Sequence, residues 1–178
     1  MTSAAERFNE LFGRTHGAVL AYAVRRCTDP ADAADVVAET FLVAWRRLDR
    51  VPADAERAWL FGVARRVLAN QRRGRQRQHA MAERLRHELA VASSSSAEPA
   101  QPSPLSEAIE RLPETDRELL RLLAWEDLSQ EEAAVALGIS AGALRVRLHR
   151  TRRRLQAMLG DREGIDGLDA ATSLEGGR

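Results

Sequence analysis

Apolar residues recur at helical spacing through most of this chain, and no segment shows the strict alternation of a half-buried strand. Phe8, Leu11, Phe12, Val19, Leu20 and Tyr22 mark one amphipathic helix that ends near Cys27. Asp29-Pro30 restarts the chain, because aspartate caps free amides and proline is tolerated at the first helical position. Val36, Val37, Phe41, Leu42 and Trp45 line a second helix. Val51-Pro52 breaks the pattern, and a third helix runs from about Glu56 through Trp59, Leu60, Val63, Val67 and Leu68 into an arginine-rich extension. The stretch Ser93 to Pro104, SSSSAEPAQPSP, has no large apolar residue and three prolines. It cannot offset the entropy of ordering by burial, so an extended, flexible linker is expected there. The pattern as a whole predicts an all-α chain of two small helical domains, residues 1–92 and 105–159, with the linker at 93–104 between them.

The second domain holds the most specific local signal, Ser129 to Leu155. Ser129 and Glu132 form a capping-box pattern that starts one helix, and Gly138 ends it. Ala133, Ala134 and Leu137 offer a small-residue inner face on which another helix can cross closely, with Ile139 filling the corner. A second helix begins at Ser140 or Ala141, and Leu144, Leu148 and Leu155 are its buried stripe. Two helices joined by a tight turn, the second rich in arginine, are the sequence form of a DNA-reading helix-turn-helix.

Charge sharpens this picture. Between Leu144 and Leu155 stand six arginines and no carboxylate. Solvated helix faces usually mix signs, and like charges three or four positions apart repel by roughly 0.2–0.5 kcal/mol per pair, a cost that a polyanion removes. The segment from Leu105 to Glu132 is the opposite, with nine carboxylates against three arginines, so only one end of this domain suits phosphate. A second basic run, Arg65, Arg66, Arg72, Arg73, Arg75, Arg77, Arg84 and Arg86, extends the third helix, with Glu83 its one acid. It reads either as a solvated helix end or, beside a separate DNA-reading domain, as a further nucleic-acid contact. Trp59 and Phe61 have two readings as well, stacking on unpaired bases or packing in the core.

The net charge of +1 over 178 residues therefore conceals segregation, with a basic first domain and an acidic tail from Gly160 that reads as disordered. All 27 basic residues are arginine, whose planar fork favours bidentate phosphate contact, although a GC-rich genome gives the same bias. The single cysteine, Cys27, excludes an internal disulfide and a thiolate zinc site, and packing is its simplest role. No stretch approaches a membrane span and no signal peptide precedes the first helix, so a cytoplasmic location is expected. Clustered carboxylates, a nucleophile with a base, and a glycine-rich phosphate loop are all missing, so neither catalysis, a metal site nor a cofactor is expected.

Four motifs in order, DPADAADVVAETFLVAW (29–45), AWLFGVARRVLANQRRGRQR (58–77), LPETDRELLRLL (112–123) and LSQEEAAVALGISAGALRVRLHRTRRRL (128–155), resemble the extracytoplasmic-function (ECF) sigma factors. These are two-domain bacterial sigma subunits made of sigma regions 2 and 4. The likeness implies a partner, core RNA polymerase, docked on the second helix by Asp32, Asp35 and Glu39 with Arg46 and Arg47, carboxylates facing a basic coiled coil. Ala38 stands where relatives often carry glutamine. The likeness also implies that the loop 49–57 captures a flipped base of the −10 promoter element, with Arg66 and Asn70 lining that site and Trp59, Arg65, Arg72 and Arg73 close by. Many relatives have asparagine at the position of Arg66.

For the −35 element the resemblance implies Arg145, Val146, His149 and Arg150 as the groove-facing set, with Arg147, Arg152, Arg153 and Arg154 nearer the phosphates. Val146 replaces a frequent serine and Leu123 a frequent arginine, and His149 reads equally as a base contact or as a surface histidine. The expected function is that of a sigma subunit: reversible binding to core polymerase, promoter recognition, DNA melting and initiation, under a dedicated anti-sigma protein. A stand-alone helix-turn-helix regulator would account for the last domain alone.

Overall fold

Side-chain caps decide where most of the helices begin. The computed structural model describes residues 3–87 and 103–160, the side chains of 78–87 apart. Among the described residues there are seven α-helices, one short 3-10 turn and no strand. The helix α1 (Ala4–Val24) opens on a capping box in which Ser3 Oγ accepts from the Glu6 amide at 3.2 Å and Glu6 Oε2 accepts from the Ser3 amide at 2.6 Å. Asp29 caps α2 (Pro30–Arg46) by accepting from the Ala31 amide at 2.9 Å, with Pro30 at the first helical position. The turn Leu48–Arg50 leads to α3 (Glu56–His87). Ser103 caps α4 (Pro104–Glu110), and Pro113 precedes α5 (Glu114–Ala124). Ser129 and Glu132 form the expected box on α6 (Gln130–Leu137), at 3.1 and 2.9 Å. Gly138, at φ +68°, stops that helix in the left-handed region where a side chain is strained, and Ser140 caps α7 (Ala141–Leu159).

The first three helices bury Leu11, Val19 and Tyr22 of α1, Val36, Val37 and Phe41 of α2, and Leu60, Phe61 and Val67 of α3 against one another. Buried Thr15 and Thr40 satisfy their hydroxyls by donating to the carbonyls of Leu11 and Val36, each at 2.6 Å, so neither leaves an orphan donor in the core. In the second half, α5, α6 and α7 bury Leu119, Leu122, Ala133, Leu144 and Leu148 together. A small satellite core of Ala108, Leu112 and Leu155 attaches α4 to the far end of α7.

The two halves share one continuous apolar core, because α6 lies directly on α3. A Cβ on Gly62 of α3 would stand 2.8 Å from the Ala136 carbonyl oxygen of α6, so only glycine permits this backbone approach. Periodicity within each helix carries no information on this contact.

Several boundaries and faces differ from the expectation. The first helix stops at Val24, before Cys27, and α4 already starts at Pro104, within the stretch read as linker. Leu42 and Trp45, expected among the inward residues of α2, are 45% and 46% exposed, and Phe12 and Leu20 of α1 are also at the surface. An apolar side chain at helical spacing need not face inward when a helix is covered on one side only. The expected linker at 93–102 and the acidic tail from 161 lie outside the described residues.

Leu60 of α3 is fully buried in the main core. Leu60→Ala should lower the free energy of urea unfolding by roughly 2–5 kcal/mol with an unchanged slope, and a loss below about 1 kcal/mol would show that this position is not core.

Candidate nucleic-acid interface

The recognition helix α7 is anchored by Leu144, Leu148, Thr151 and Leu155, which point into the domain, and Thr151 donates to the Arg147 carbonyl at 3.0 Å. A helix held along that stripe turns its other positions outward. Arg145, Val146, His149 and Arg150 are all exposed on one side, Val146 by 52%, so the predicted groove-facing set forms a continuous surface. Arg153 is exposed beyond it. Two of the arginines assigned to phosphate are oriented from beneath by a buried carboxylate. Arg154 Nη1 donates to Asp116 Oδ2 at 2.7 Å, and Arg147 Nε stands 3.9 Å from Asp116 Oδ1. Asp116 thus ties α7 to the start of α5. Arg152 is partly exposed on the same helix.

The predicted −10 residues divide between two faces of α3. Arg66 and Asn70 are exposed, and Arg73 donates to Asn70 Oδ1, which orients that amide. Burial, then the neighbouring charges of Arg65 and Arg47, push the Arg66 guanidinium below its ordinary value. Arg65 and Arg72 instead face the second half of the chain: Arg65 donates to the Leu137 carbonyl at 3.3 Å, and Arg72 pairs with Glu114 at 3.1 Å. Trp59 is half-buried against the core, and Phe61 is fully buried with its ring stacked on Tyr22 at 4.8 Å. Phe61 is therefore packing, which decides between its two sequence readings.

On α2, Asp35, Glu39 and Arg46 are exposed along one stripe and Arg47 sits just past its end. Leu42 lies in the same stripe and Trp45 beside it, edge-on to Phe8 at 5.1 Å. Spacing alone assigns both inward, yet each is exposed. Asp32 is different: it pairs with Arg75 and so fixes α2 against α3.

The domains carried by these faces match known families. The sigma-70 region 2 model matches residues 11–78, and the sigma-70 region 4 model matches residues 103–155. The RNA polymerase sigma factor NccH of Alcaligenes xylosoxydans xylosoxydans is 34% identical over 161 residues, covering 85% of this chain and 86% of that protein. The ECF RNA polymerase sigma factor SigL of Mycobacterium tuberculosis is 31% identical over 156 residues, covering 81% and 84%. The chain belongs to the ECF sigma factors.

Solved structures agree with that placement of the sigma factor. RpoE of Bartonella quintana, crystallised with the anti-sigma factor NepR, superposes at a TM-score of 0.58 with 27% identity, covering 87% of this chain and 98% of that one. CnrH with the cytosolic domain of CnrY gives 0.56 and 28%, covering 88% and 94%. The region 2 match spans α1 to α3 and the region 4 match spans α4 to α7, so the α3 and α7 surfaces sit in separate matched regions. Among the described residues, no helix is long and apolar enough to cross a membrane.

Glu114 joins these regions in a way that titrates. Burial opposes its ionisation, yet hydrogen bonds from Arg117 and Arg72 and their charges outweigh this and hold its carboxyl below the ordinary glutamate value. A depressed carboxyl stabilises the fold at pH above its unfolded value and loses that contribution as pH falls through its folded one. A carboxyl NMR titration should place Glu114 below the other exposed glutamates, and a midpoint at or above theirs would remove the Arg72 contact from the account.

Proposed function

We propose that this sigma factor meets core RNA polymerase through the exposed stripe of α2, Asp35 and Glu39 with Arg46, Arg47 and the apolar Leu42 and Trp45. Its region 4 module, residues 105–159, places the −35 element through Arg145, Val146, His149 and Arg150, with Arg147, Arg152, Arg153 and Arg154 on phosphates. Its region 2 module, residues 1–92, holds unstacked −10 bases at Arg66 and Asn70, with Arg73 beside them, while Trp59, Arg65 and Arg72 lie on other faces of α3 and support that surface from within the fold. Residues 93–104 connect the two modules. Flipping a base costs a few kcal/mol, which contacts to the extruded base must offset.

The observation that carries this reading is the order of two matched regions on one chain, each presenting exposed arginine on a helix that the core holds rigidly. A stand-alone regulator leaves α1 to α3 and their region 2 match without a role. The work is done in the cytoplasm, where polymerase and chromosome are, and needs no bond-making chemistry from this chain. The structures of RpoE with NepR and of CnrH with CnrY support an anti-sigma partner for this factor too.

Run-off transcription and gel shifts on genomic fragments, with and without purified core polymerase, test the function. Selective transcripts should depend on both proteins. Full site selection by the chain alone would favour the regulator reading. Arg145→Ala or Arg150→Ala should lose roughly 1–3 kcal/mol of discrimination between promoter and random DNA. Equal losses on both DNAs would contradict base reading. Reversing Asp35 and Glu39 to arginine should weaken capture by core polymerase, and undiminished capture would remove α2 as the docking surface.

A further inference from the structure

A buried carboxylate sits beneath the recognition helix, beside a surface that must attract phosphate. Asp116 stands in the first turn of α5 with its side chain 6% exposed. An acid there complements the α5 dipole, and that role needs only nearness to the helix start. The observed geometry does more. The carboxylate reaches a helix thirty-eight positions away, where Oδ2 accepts from Arg154 Nη1 at 2.7 Å and Oδ1 stands 3.9 Å from Arg147 Nε. Each oxygen of Asp116 thus faces a different arginine of α7.

Both arginines are held by one edge. A guanidinium carries its N–H donors in a fixed planar fork, so with one nitrogen turned to Asp116 the rest of each fork is left for another acceptor. The Arg147 and Arg154 side chains are 37% and 55% exposed above a carboxylate that is almost sealed, so their far edges reach solvent. They border a groove of about 580 Å³ between the start of α5 and α7, which Gly142, Ala143, Val146 and Arg150 also line. Small residues keep it open, and a Cβ on Gly142 would meet nothing within 4 Å. Val146 and Arg150 belong to the base-reading set, so residues assigned to bases and residues assigned to phosphates share one depression with Asp116 in its wall.

We propose that Asp116 is a positioning residue that sets how well the region 4 module discriminates a promoter from other DNA, without touching DNA itself. The inference rests on the −35 reading above. By fixing the inner edges of Arg147 and Arg154, Asp116 spares the ordering of two long side chains when phosphates arrive in the register that seats Val146 and Arg150 on bases. By its own charge it opposes phosphates in every register, so loosely docked DNA gains less. A spectator acid would have the second effect alone. Removing a negative charge beside DNA strengthens binding everywhere if charge is all that matters; here it should weaken binding at a promoter.

Asp116→Asn keeps the shape of the side chain and removes its charge. Full-length chain with core polymerase is titrated with a promoter fragment selected by run-off transcription and with random duplex of the same length. The variant should bind the promoter more weakly, and the ratio of promoter to random affinity should fall roughly fivefold or more, the ordering of two arginine side chains. A ratio unchanged or raised overturns the proposal, and so does a parallel gain on both DNAs, the signature of charge alone. In a chain already carrying Arg147→Ala and Arg154→Ala, Asp116→Asn should change the ratio by less than about twofold. A further fall there would place the effect in the fold and not in the arginines, which also overturns it. Urea unfolding reports whether the variant keeps its structure. If it does not, NMR relaxation of the arginine Nε–H groups in the unmodified free chain decides: Arg147 and Arg154 should be clearly more ordered than exposed Arg153, and equal mobility overturns the proposal. Run-off transcription by the unmodified chain tests the sigma reading separately, because its failure would leave the relaxation result standing.

Discussion

Arginine keeps its charge at every pH a cell offers, so each of the 27 in this chain must be hydrated, matched by a carboxylate or matched by a ligand. That constraint divides the molecule. Arg26 is sealed between Glu118 and Glu126, Arg75 is held by Asp32, and Arg154 and Arg147 rest on Asp116. These hold helices in place. The exposed arginines at 145, 150 and 66 stand on helices whose opposite faces are fully buried, so their positions are fixed before any DNA arrives. Preorganised charge of one sign is what a polyanion binds with the smallest ordering cost.

Features governed by local chemistry were legible in the sequence. The Ser129–Glu132 box, the Gly138 stop and the Leu144, Leu148, Leu155 stripe each depend on residues within one or two helical turns, and all three stand as read. The Ser3–Glu6 box has the same signature but stands ahead of the first apolar position, Phe8, so the apolar pattern does not mark that helix start. Leu42 and Trp45 misled, since spacing shows that a position is apolar and not which neighbour will cover it. The joint between the halves left no local mark: Tyr22 and Arg26 meet partners more than ninety positions away. Its one trace was Gly62, a helix-weakening residue in the second turn of a long helix, where the physical cause is the carbonyl of Ala136.

Carboxylates of region 4 pair with arginines of both regions. Glu114 of α5 takes Arg72 of α3 as a partner, so the contact between the halves matches a cation of one with a carboxylate of the other. An acidic α5 beside a basic α7 in one small domain is thus more than segregation for solubility, because carboxylates of α5 hold arginines of both α3 and α7.

The most direct test is footprinting of promoter DNA by the chain with purified core polymerase, for the unmodified protein and for one with Arg145 and Arg150 changed to alanine. The account predicts protection of both promoter elements only when both proteins are present, with the −35 protection lost in the variant. Full protection by the chain alone, or −35 protection unchanged in the variant, would contradict it.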